Sequence, residues 1–263
     1  SGMELDDAYA NGAYIEGAGD YPPRWAASAR DFRNSMQERA RLDIPYGAGA
    51  RHKFDLFLPE GPAKGLFVFV HGGYWLKFDK SSWSHLAVGA LEQGWAVAMP
   101  SYDLCPEVTI AEITRQIAQA VQVIAREIAG PIALAGHSAG GHLVARMLDT
   151  AVLPPEVGQR IRTVVPISPL ANLHPLLRTS MNKDLGLDAD QARSESPTET
   201  KDRYGANVTV WVGGAERPAF LDQAIWLVEA WGADHVIALE KHHFNVIEPL
   251  ADPESDLVAV ITG

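Results

Sequence analysis

Short apolar runs alternate with amphipathic stretches along this chain of 263 residues. The runs are bounded by glycine or proline, and several of them, such as LFVFV, WAVAM and VTVWV, contain almost no polar position. Continuous apolar runs of this length are typical of strands that are covered on both faces of a sheet. Strands are therefore predicted at residues 54–58, 66–70, 95–99, 132–135, 163–167, 208–212 and 236–239.

Helical periodicity lies between these runs. One stretch repeats its apolar residues every three or four positions and ends before Gly130-Pro131, which predicts an amphipathic helix with Ile110, Ile113, Ile117, Val121, Ile124 and Ile128 on one face. The stretches 82–92, 139–150 and 218–231 are also predicted to be helices. Strands that alternate with helices indicate an α/β fold with a mainly parallel central sheet and helices on both faces. Ligands of such sheets bind beyond the carboxyl ends of the strands.

Two segments depart from the alternation. Residues 22–42 are amphipathic and end at Asp43-Ile44-Pro45, which predicts a helix packed either beside the sheet or over its ligand-binding edge. Residues 172–200 show no strand pattern and are interrupted by prolines and a glycine, so a small cap segment is predicted at about residues 170–200. Because no repeat, low-complexity tract or flexible linker divides the chain, a single domain is expected over residues 1–263.

Composition limits the partners and the location. The net charge of −11 and the pI of about 5.2 argue against nucleic acid and anionic membranes as partners. The acidic N-terminal segment does not resemble a secretory signal, and no apolar run is long enough to span a bilayer. Cys105 is the single cysteine, which excludes an internal disulfide and fits a reducing compartment. We expect a cytoplasmic protein that acts on a small molecule, and the sequence leaves open whether it forms a homodimer.

The strongest chemical signal is GHSAGG, residues 136–141, which directly follows the strand IALA and precedes a helix. A Gly-x-Ser-x-Gly pattern between a strand and a helix is typical of a nucleophile elbow. Gly136 and Gly140 are needed because neighbouring segments approach closely in so tight a turn. The turn exposes Ser138 at the start of a helix, where the helix dipole favours negative charge. Ser138 is therefore the candidate nucleophile.

A serine hydroxyl needs a base, and in this fold the base follows the nucleophile and an acid along the chain. His142 follows Ser138 by one helical turn and is expected to pack against the elbow, whereas His242 and His243 follow the last predicted strand. The pattern favours a base in this His-His pair without deciding between its members.

The acid is expected just beyond the preceding strand. Glu216 is the first carboxylate after VTVWVGG, where it can orient a histidine and stabilise its protonated form. Asp222 belongs to the next predicted helix and Asp234 to the start of the last strand, so Glu216 is the preferred candidate.

Backbone donors for an oxyanion are predicted in HGGYW, residues 71–75, which follows the strand LFVFV. We expect the N–H of Gly73, together with that of Tyr74 or Gly72, to act beside the N–H of Ala139. Tyr74 and Trp75 are candidates for lining a pocket that holds a flat ring. No histidine, cysteine or carboxylate spacing indicates a metal site, and no glycine-rich nucleotide motif is present, so neither a metal nor a cofactor is expected.

These motifs together resemble the kynurenine formamidase (arylformamidase) family of α/β-hydrolases. HGGYW is similar to the oxyanion signature of that family. A more general esterase has a third glycine at the position of Tyr74. GHSAGGHL is similar to its elbow, and HHFNVIE to its histidine loop, which favours His243 as the base. The similarity extends over residues 102–117, over 170–197 and over VWVGGAERPAFLDQ, where Glu216 stands in place of the aspartate usual in the family.

The resemblance implies a serine hydrolase that cleaves an N-formyl anilide such as N-formyl-L-kynurenine to formate and an arylamine, through a formyl-enzyme. Ser138, Glu216 and His243 would form its catalytic triad. A short-chain carboxylesterase that uses the same residues is the alternative, because a fold does not determine a substrate.

Overall fold

Eight strands form one mixed sheet in the computed structural model, which describes residues 3–263; residues 1 and 2 of the expected domain lie outside the described residues. The strands are β1 (Ala40–Pro45), β2 (Lys53–Phe57), β3 (Leu66–Val70), β4 (Ala96–Pro100), β5 (Ile132–His137), β6 (Ile161–Ile167), β7 (Asn207–Gly213) and β8 (Asp234–Ala238). Their order is β1-β2-β4-β3-β5-β6-β7-β8. The contacts of β2 with β1 and β4 are antiparallel and the others are parallel, so the prediction of a mainly parallel sheet is confirmed.

Every predicted strand is present with small shifts at its ends, but β1 was not predicted. The amphipathic stretch 22–42 is a helix only in its first part. The helix α1 (Tyr21–Met36) is followed by a 3₁₀ turn, and the chain then pairs with β2. β1 is an edge strand whose residues are mostly exposed, so it carries none of the apolar runs that mark the other strands.

The remaining helices are α2 (Val88–Glu92), α3 (Ile110–Glu127), α4 (Ala139–Arg146), α5 (Pro155–Gly158), α6 (Asn182–Leu185), α7 (Ala189–Ser194), α8 (Pro218–Trp231) and α9 (Asp256–Thr262). α3 and α8 agree with the prediction, whereas α4 is shorter than the predicted 139–150. The Thr109 side chain caps α3 by accepting a hydrogen bond from the N–H of Glu112. Across residues 3–263, no helix is both long and apolar enough to cross a membrane.

Apolar side chains on both faces of the sheet bury the central strands. In β3, Leu66, Val68 and Val70 pack in the cluster that contains α3, while Phe67 and Phe69 pack in the cluster that contains α1, α2 and α9. Alternate residues of a strand point to opposite faces, so a strand with a helical layer on each side must be apolar at every position. This two-sided core holds the carboxyl ends of β3, β5, β7 and β8 at one edge.

The predicted cap segment lies between β6 and β7 and consists of short helical turns with α6 and α7, without a strand. Buried polar contacts attach it to the helices α3 and α4. Glu195 of the cap forms an ion pair with Arg146 (3.2 Å) and accepts a hydrogen bond from the Thr114 hydroxyl (2.6 Å). His142 lies near the backbone carbonyl of the same glutamate, with 2.8 Å between its Nε2 and that oxygen. These buried contacts hold the cap against α3 and α4.

Candidate active site

Ser138 lies at the turn between β5 and α4, and its positive φ places it outside the usual backbone regions (φ 60°, ψ −114°). Close backbone contacts hold this turn. A Cβ on Gly136 would lie 2.1 Å from the carbonyl oxygen of Gly140, and a Cβ on Gly140 would lie 2.0 Å from that of Val70. Any side chain at these two positions would therefore push β3, β5 and α4 apart. The strained serine is kept at the start of α4 because the packing around it leaves no alternative.

Glu216 and His243 form a buried pair at the ends of β7 and β8. The distance from Nδ1 of His243 to Oε1 of Glu216 is 2.5 Å, and both side chains are nearly inaccessible to solvent. The other carboxylate oxygen accepts hydrogen bonds from the Ser168 hydroxyl (2.5 Å) and from the N–H of Gly213 (2.7 Å). Because both oxygens are held, the carboxylate can fix the orientation of the imidazole ring. Ser168 was not singled out from the sequence.

The structure distinguishes the two adjacent histidines. His243 contacts Glu216 and lines the same cavity as Ser138. His242 instead accepts hydrogen bonds at Nδ1 from the N–H groups of Phe244 and Asn245, and its Nε2 lies 3.1 Å from the Tyr21 hydroxyl. Its two ring nitrogens are thus used by the loop and by α1. The geometry favours His243 as the base, and Asp222 and Asp234 are exposed on α8 and β8, away from this pair.

His137, next to the nucleophile, packs on the His243 ring with 4.7 Å between ring centroids. Its Nε2 lies 2.8 Å from the backbone oxygen of His243, so an N–H there donates to that carbonyl. Burial and the neighbouring His243 hold the pKa of His137 well below its usual value, so the ring stays neutral. Phe220 packs on the His243 ring as well (4.3 Å). Together the two rings restrict the rotation of His243.

The loop 71–75 brings its backbone against the nucleophile. A Cβ on Gly72 would lie 2.5 Å from the carbonyl oxygen of His137 and 3.2 Å from Cβ of Ser138, so only glycine fits there. The N–H groups of Gly72, Gly73, Tyr74 and Ala139 donate to no acceptor within residues 3–263. They are therefore available to a ligand oxygen at Ser138. Unpaired backbone N–H groups beside a nucleophile are the kind of donor that stabilises an oxyanion.

His71 supports this loop from below. Its ring stacks on Tyr102 with 4.3 Å between centroids, and its Nδ1 lies 2.7 Å from the carbonyl oxygen of Gly72. Burial lowers the pKa of His71 to about 4, so the ring is neutral near pH 7. A neutral ring in this position can hold the loop backbone through its contact with Gly72.

Ser138 and His243 open into one cavity of about 390 Å³. Six aromatic side chains line it: Tyr9, Trp25, Tyr74, Phe78, Trp83 and Phe244. The cap contributes Ser180 and Met181, and α1 contributes Pro22 and Trp25. The sequence allowed α1 to pack either beside the sheet or over its ligand-binding edge. Its first turns lie over that edge. A cavity of this size and lining fits a small aromatic molecule.

The structure does not support the predicted role of Trp75 in a substrate pocket. Tyr74 lines the cavity, but the Trp75 side chain is fully buried and packs edge-on against the ring of His142, 5.2 Å between centroids. Both residues have positive φ, and the turn sends the two adjacent side chains in different directions. Sequence adjacency could not reveal this divergence.

The N-terminal segment also contributes to the cavity, which the sequence did not indicate. Asp6, Tyr9, Ala10, Asn11 and Gly12 all line it. These residues form no apolar run or recognisable motif, so no signal in the sequence pointed to them.

In the described part of the chain, no group of three or more His, Cys, Asp or Glu side chains is arranged to hold a metal ion.

Residues 67–233 match the family model of the alpha/beta hydrolase fold. A kynurenine formamidase from Danio rerio is 29% identical over 262 residues, which cover 88% of this chain and 89% of that protein. A kynurenine formamidase from Drosophila melanogaster is 30% identical over 241 residues, which cover 81% and 78%. A crystal structure from Silicibacter sp. TM1040, which carries the provisional name thioesterase, is 80% identical, covers 99% of this chain and 100% of its own, and has a TM-score of 0.99.

Proposed function

Because this chain belongs to the kynurenine formamidase-like α/β-hydrolases, we propose that it hydrolyses N-formyl anilides of the N-formyl-L-kynurenine type to formate and a free arylamine. One observation carries the proposal. Ser138 and His243, the latter held by Glu216, line one cavity together with Gly72, Gly73 and Tyr74, whose N–H groups are unpaired. A nucleophile, a base held by an acid, and oxyanion donors are the parts that acyl transfer needs.

In the first half of the reaction, the Ser138 hydroxyl attacks the formyl carbon while Nε2 of His243 accepts its proton. The contact with Glu216 keeps the proton on Nδ1 and leaves Nε2 as the basic nitrogen. Glu216 then stabilises the imidazolium that forms. The N–H groups of Ala139 and of the loop 71–75 bind the oxyanion, and one such donor typically contributes about 3–4 kcal/mol to the transition state.

The tetrahedral intermediate collapses when the C–N bond breaks and the imidazolium of His243 gives its proton to the departing arylamine. The formyl group is then an ester of Ser138. His243 next takes a proton from water, whose oxygen attacks the formyl carbon, and the serine leaves with that proton. Formate is released and the enzyme returns to its initial state.

The size of the site supports a small substrate. The cavity of about 390 Å³ is near the lower end of the roughly 300–1,000 Å³ that is usual for small-molecule sites. Tyr74 occupies a place in the oxyanion loop where a third glycine would leave more room, which favours a short acyl group. The aromatic walls favour an aryl leaving group.

A short-chain carboxylesterase is the second candidate. The observation in its favour is that the triad and the oxyanion donors serve an oxygen leaving group equally well. The provisional name of the 80% identical Silicibacter protein adds a sulfur leaving group to the comparison. The three classes differ in the atom that leaves, which is nitrogen, oxygen or sulfur, and the candidates differ also in the size of the acyl group.

The test is a substrate panel with N-formyl-L-kynurenine, aryl esters with formyl, acetyl and butyryl groups, and a short acyl thioester. Each methylene that does not fit reduces kcat/KM by about 10–200-fold. We expect formyl to be preferred over acetyl and acetyl over butyryl, with measurable turnover of N-formyl-L-kynurenine. Faster turnover of butyryl esters or of the thioester, with N-formyl-L-kynurenine untouched, would overturn the assignment.

A further inference from the structure

His137 directly precedes the nucleophile, and its side chain contacts the candidate base. It is the last residue of β5 and pairs with Ile167 of β6. Its ring packs on that of His243 with 4.7 Å between centroids, and its Nε2 lies 2.8 Å from the carbonyl oxygen of His243. A carbonyl oxygen only accepts hydrogen bonds, so Nε2 of His137 carries the proton and donates it. A side chain of the nucleophile strand thus holds the main chain of the base.

The main chain of His243 depends on this contact. His243 lies in a turn beyond the end of β8, and the bond from His137 is the only hydrogen bond that its main chain makes within residues 3–263. Glu216 binds the imidazole at one atom, Nδ1, and a single contact does not fix the distance from Nε2 of the base to Ser138. The hydrogen bond to the carbonyl oxygen supplies a second point of attachment, on the backbone.

His137 is itself held in place by its surroundings. It is buried, it belongs to a central strand, and a Cβ on Gly72 would lie 2.5 Å from its carbonyl oxygen, so the oxyanion loop packs directly on its backbone. Burial and the neighbouring His243 hold the pKa of His137 well below its usual value, which keeps the ring neutral. One residue therefore precedes the nucleophile, contacts the oxyanion loop through its backbone and contacts the base through its side chain.

We propose that His137 is a positioning residue, which sets the place of His243 relative to Ser138 through the hydrogen bond from its Nε2 to the carbonyl oxygen of the base. The inference rests on the serine-hydrolase chemistry of the proposed function and not on its substrate, because every acyl transfer at Ser138 needs the same base. Displacement of a catalytic group by about 1 Å can reduce the rate by about 100-fold. The residue before the serine in GHSAGG thus joins the nucleophile strand to the histidine loop.

The experiment compares the wild-type protein with two variants. His137→Phe keeps a flat ring against His243 and removes the donor, whereas His137→Gln keeps an amide N–H that can take the place of Nε2. The substrate is p-nitrophenyl acetate, an activated ester that tests the triad whatever the natural substrate is. We expect His137→Phe to lower kcat by about 10-fold or more with less than a threefold change in KM, and His137→Gln to recover most of the loss. The rate at which a fluorophosphonate labels Ser138 depends on the same base and should fall in parallel with kcat.

His142→Phe is the matched control. His142 is also buried, and its Nε2 lies 2.8 Å from a backbone carbonyl oxygen, but that oxygen belongs to Glu195 of the cap. We expect both phenylalanine variants to melt at a lower temperature than the wild-type protein, and only His137→Phe to label slowly at Ser138. Equal losses of labelling rate in the two variants, or a normal kcat in His137→Phe, would refute the positioning role.

If His137→Phe does not fold, His137→Asn replaces it with the same expectation, because the shorter side chain does not reach the carbonyl oxygen of His243. Turnover of p-nitrophenyl acetate by the wild-type protein without turnover of N-formyl-L-kynurenine would refute the proposed substrate alone. The kinetics of the variants on the ester would still decide the role of His137.

Discussion

The Ser168 hydroxyl donates a 2.5 Å hydrogen bond to Oε2 of Glu216, the carboxylate oxygen that does not face His243. Ser168 follows β6 directly, and its own N–H donates to the carbonyl oxygen of Trp211 in β7 (2.6 Å). The acid of the candidate triad is therefore fixed by the neighbouring strand as well as by its own loop. Glutamate is one methylene longer than aspartate. The hydrogen bonds from Ser168 and from the N–H of Gly213 hold this longer side chain in place.

We expect Ser168→Ala to lower kcat by about 10–100-fold, because a hydrogen bond to a charged group contributes roughly 1.5–3 kcal/mol. KM should change little, since Ser168 does not line the cavity. Steady-state kinetics check this expectation, and Ser168→Thr, which keeps a hydroxyl, should recover part of the loss. An equal rise in KM without a fall in kcat would argue against a positioning role.

Glu216→Gln should retain the fold and lower kcat by about 10²–10⁴-fold, because the charge that stabilises the imidazolium is lost while the shape is kept. Asp222→Asn is the control, since Asp222 is exposed on α8 and should leave kcat unchanged. Thermal unfolding of both variants separates damage to the fold from loss of chemistry. A fall in kcat of less than threefold in Glu216→Gln, together with a large fall in Asp222→Asn, would assign the role of the acid to Asp222.

Gly140→Ala should destabilise the protein strongly, because the added methyl group would lie 2.0 Å from the carbonyl oxygen of Val70, a backbone atom that cannot move aside. Overpacking in a core typically costs about 1–3 kcal/mol, and contact with rigid backbone belongs at the upper end. Gly205→Ala is the matched control, because nothing lies within 4 Å of its added Cβ. A melting temperature of Gly140→Ala equal to that of Gly205→Ala would contradict the described packing of the elbow.

Stability should fall as the pH is lowered from about 6.5. Burial lowers the pKa of His142 to about 3 and that of His71 and His85 to about 4, so these rings remain neutral in the folded protein while the unfolded chain takes up protons. The stabilisation is complete above the histidine pKa of the unfolded chain, about 6.5. It is lost as the pH falls from there toward the pKa values of the folded protein, by about 1.4 kcal/mol per pH unit for each such histidine. Melting temperatures between pH 7 and 5 measure this dependence.

His142→Gln should reduce the slope of unfolding free energy against pH by up to about 1.4 kcal/mol per pH unit. His235→Gln, at an exposed position on β8, is the control and should leave the slope unchanged. Identical pH profiles for the wild-type protein and His142→Gln would show that burial of His142 does not govern its protonation.

The parts of the fold that the sequence revealed are those in which a local pattern reports burial. β3 is apolar at every position because both of its faces are covered, and the elbow around Ser138 is marked by glycines that backbone contacts require. β1 was missed because an exposed edge strand needs no apolar pattern.

The candidate site shows the same limit. Ser168 contacts Glu216 only because β6 and β7 are neighbours in the sheet. The sequence of either strand alone does not reveal which strand it pairs with. Tyr9 and Asn11 reach the cavity through a segment without regular pattern, and Trp75 turns away from it although its neighbour Tyr74 does not. Side-chain direction in irregular segments depends on tertiary contacts, which no local pattern encodes.

The most direct test of the account is covalent trapping of Ser138 with an organophosphate such as a fluorophosphonate. We expect one equivalent of mass to be added to the peptide that carries GHSAGG, with activity lost in proportion to labelling, and neither labelling nor activity in Ser138→Ala. Undiminished activity in Ser138→Ala, or full inhibition with the mass on another residue, would contradict the claim that this serine is the nucleophile.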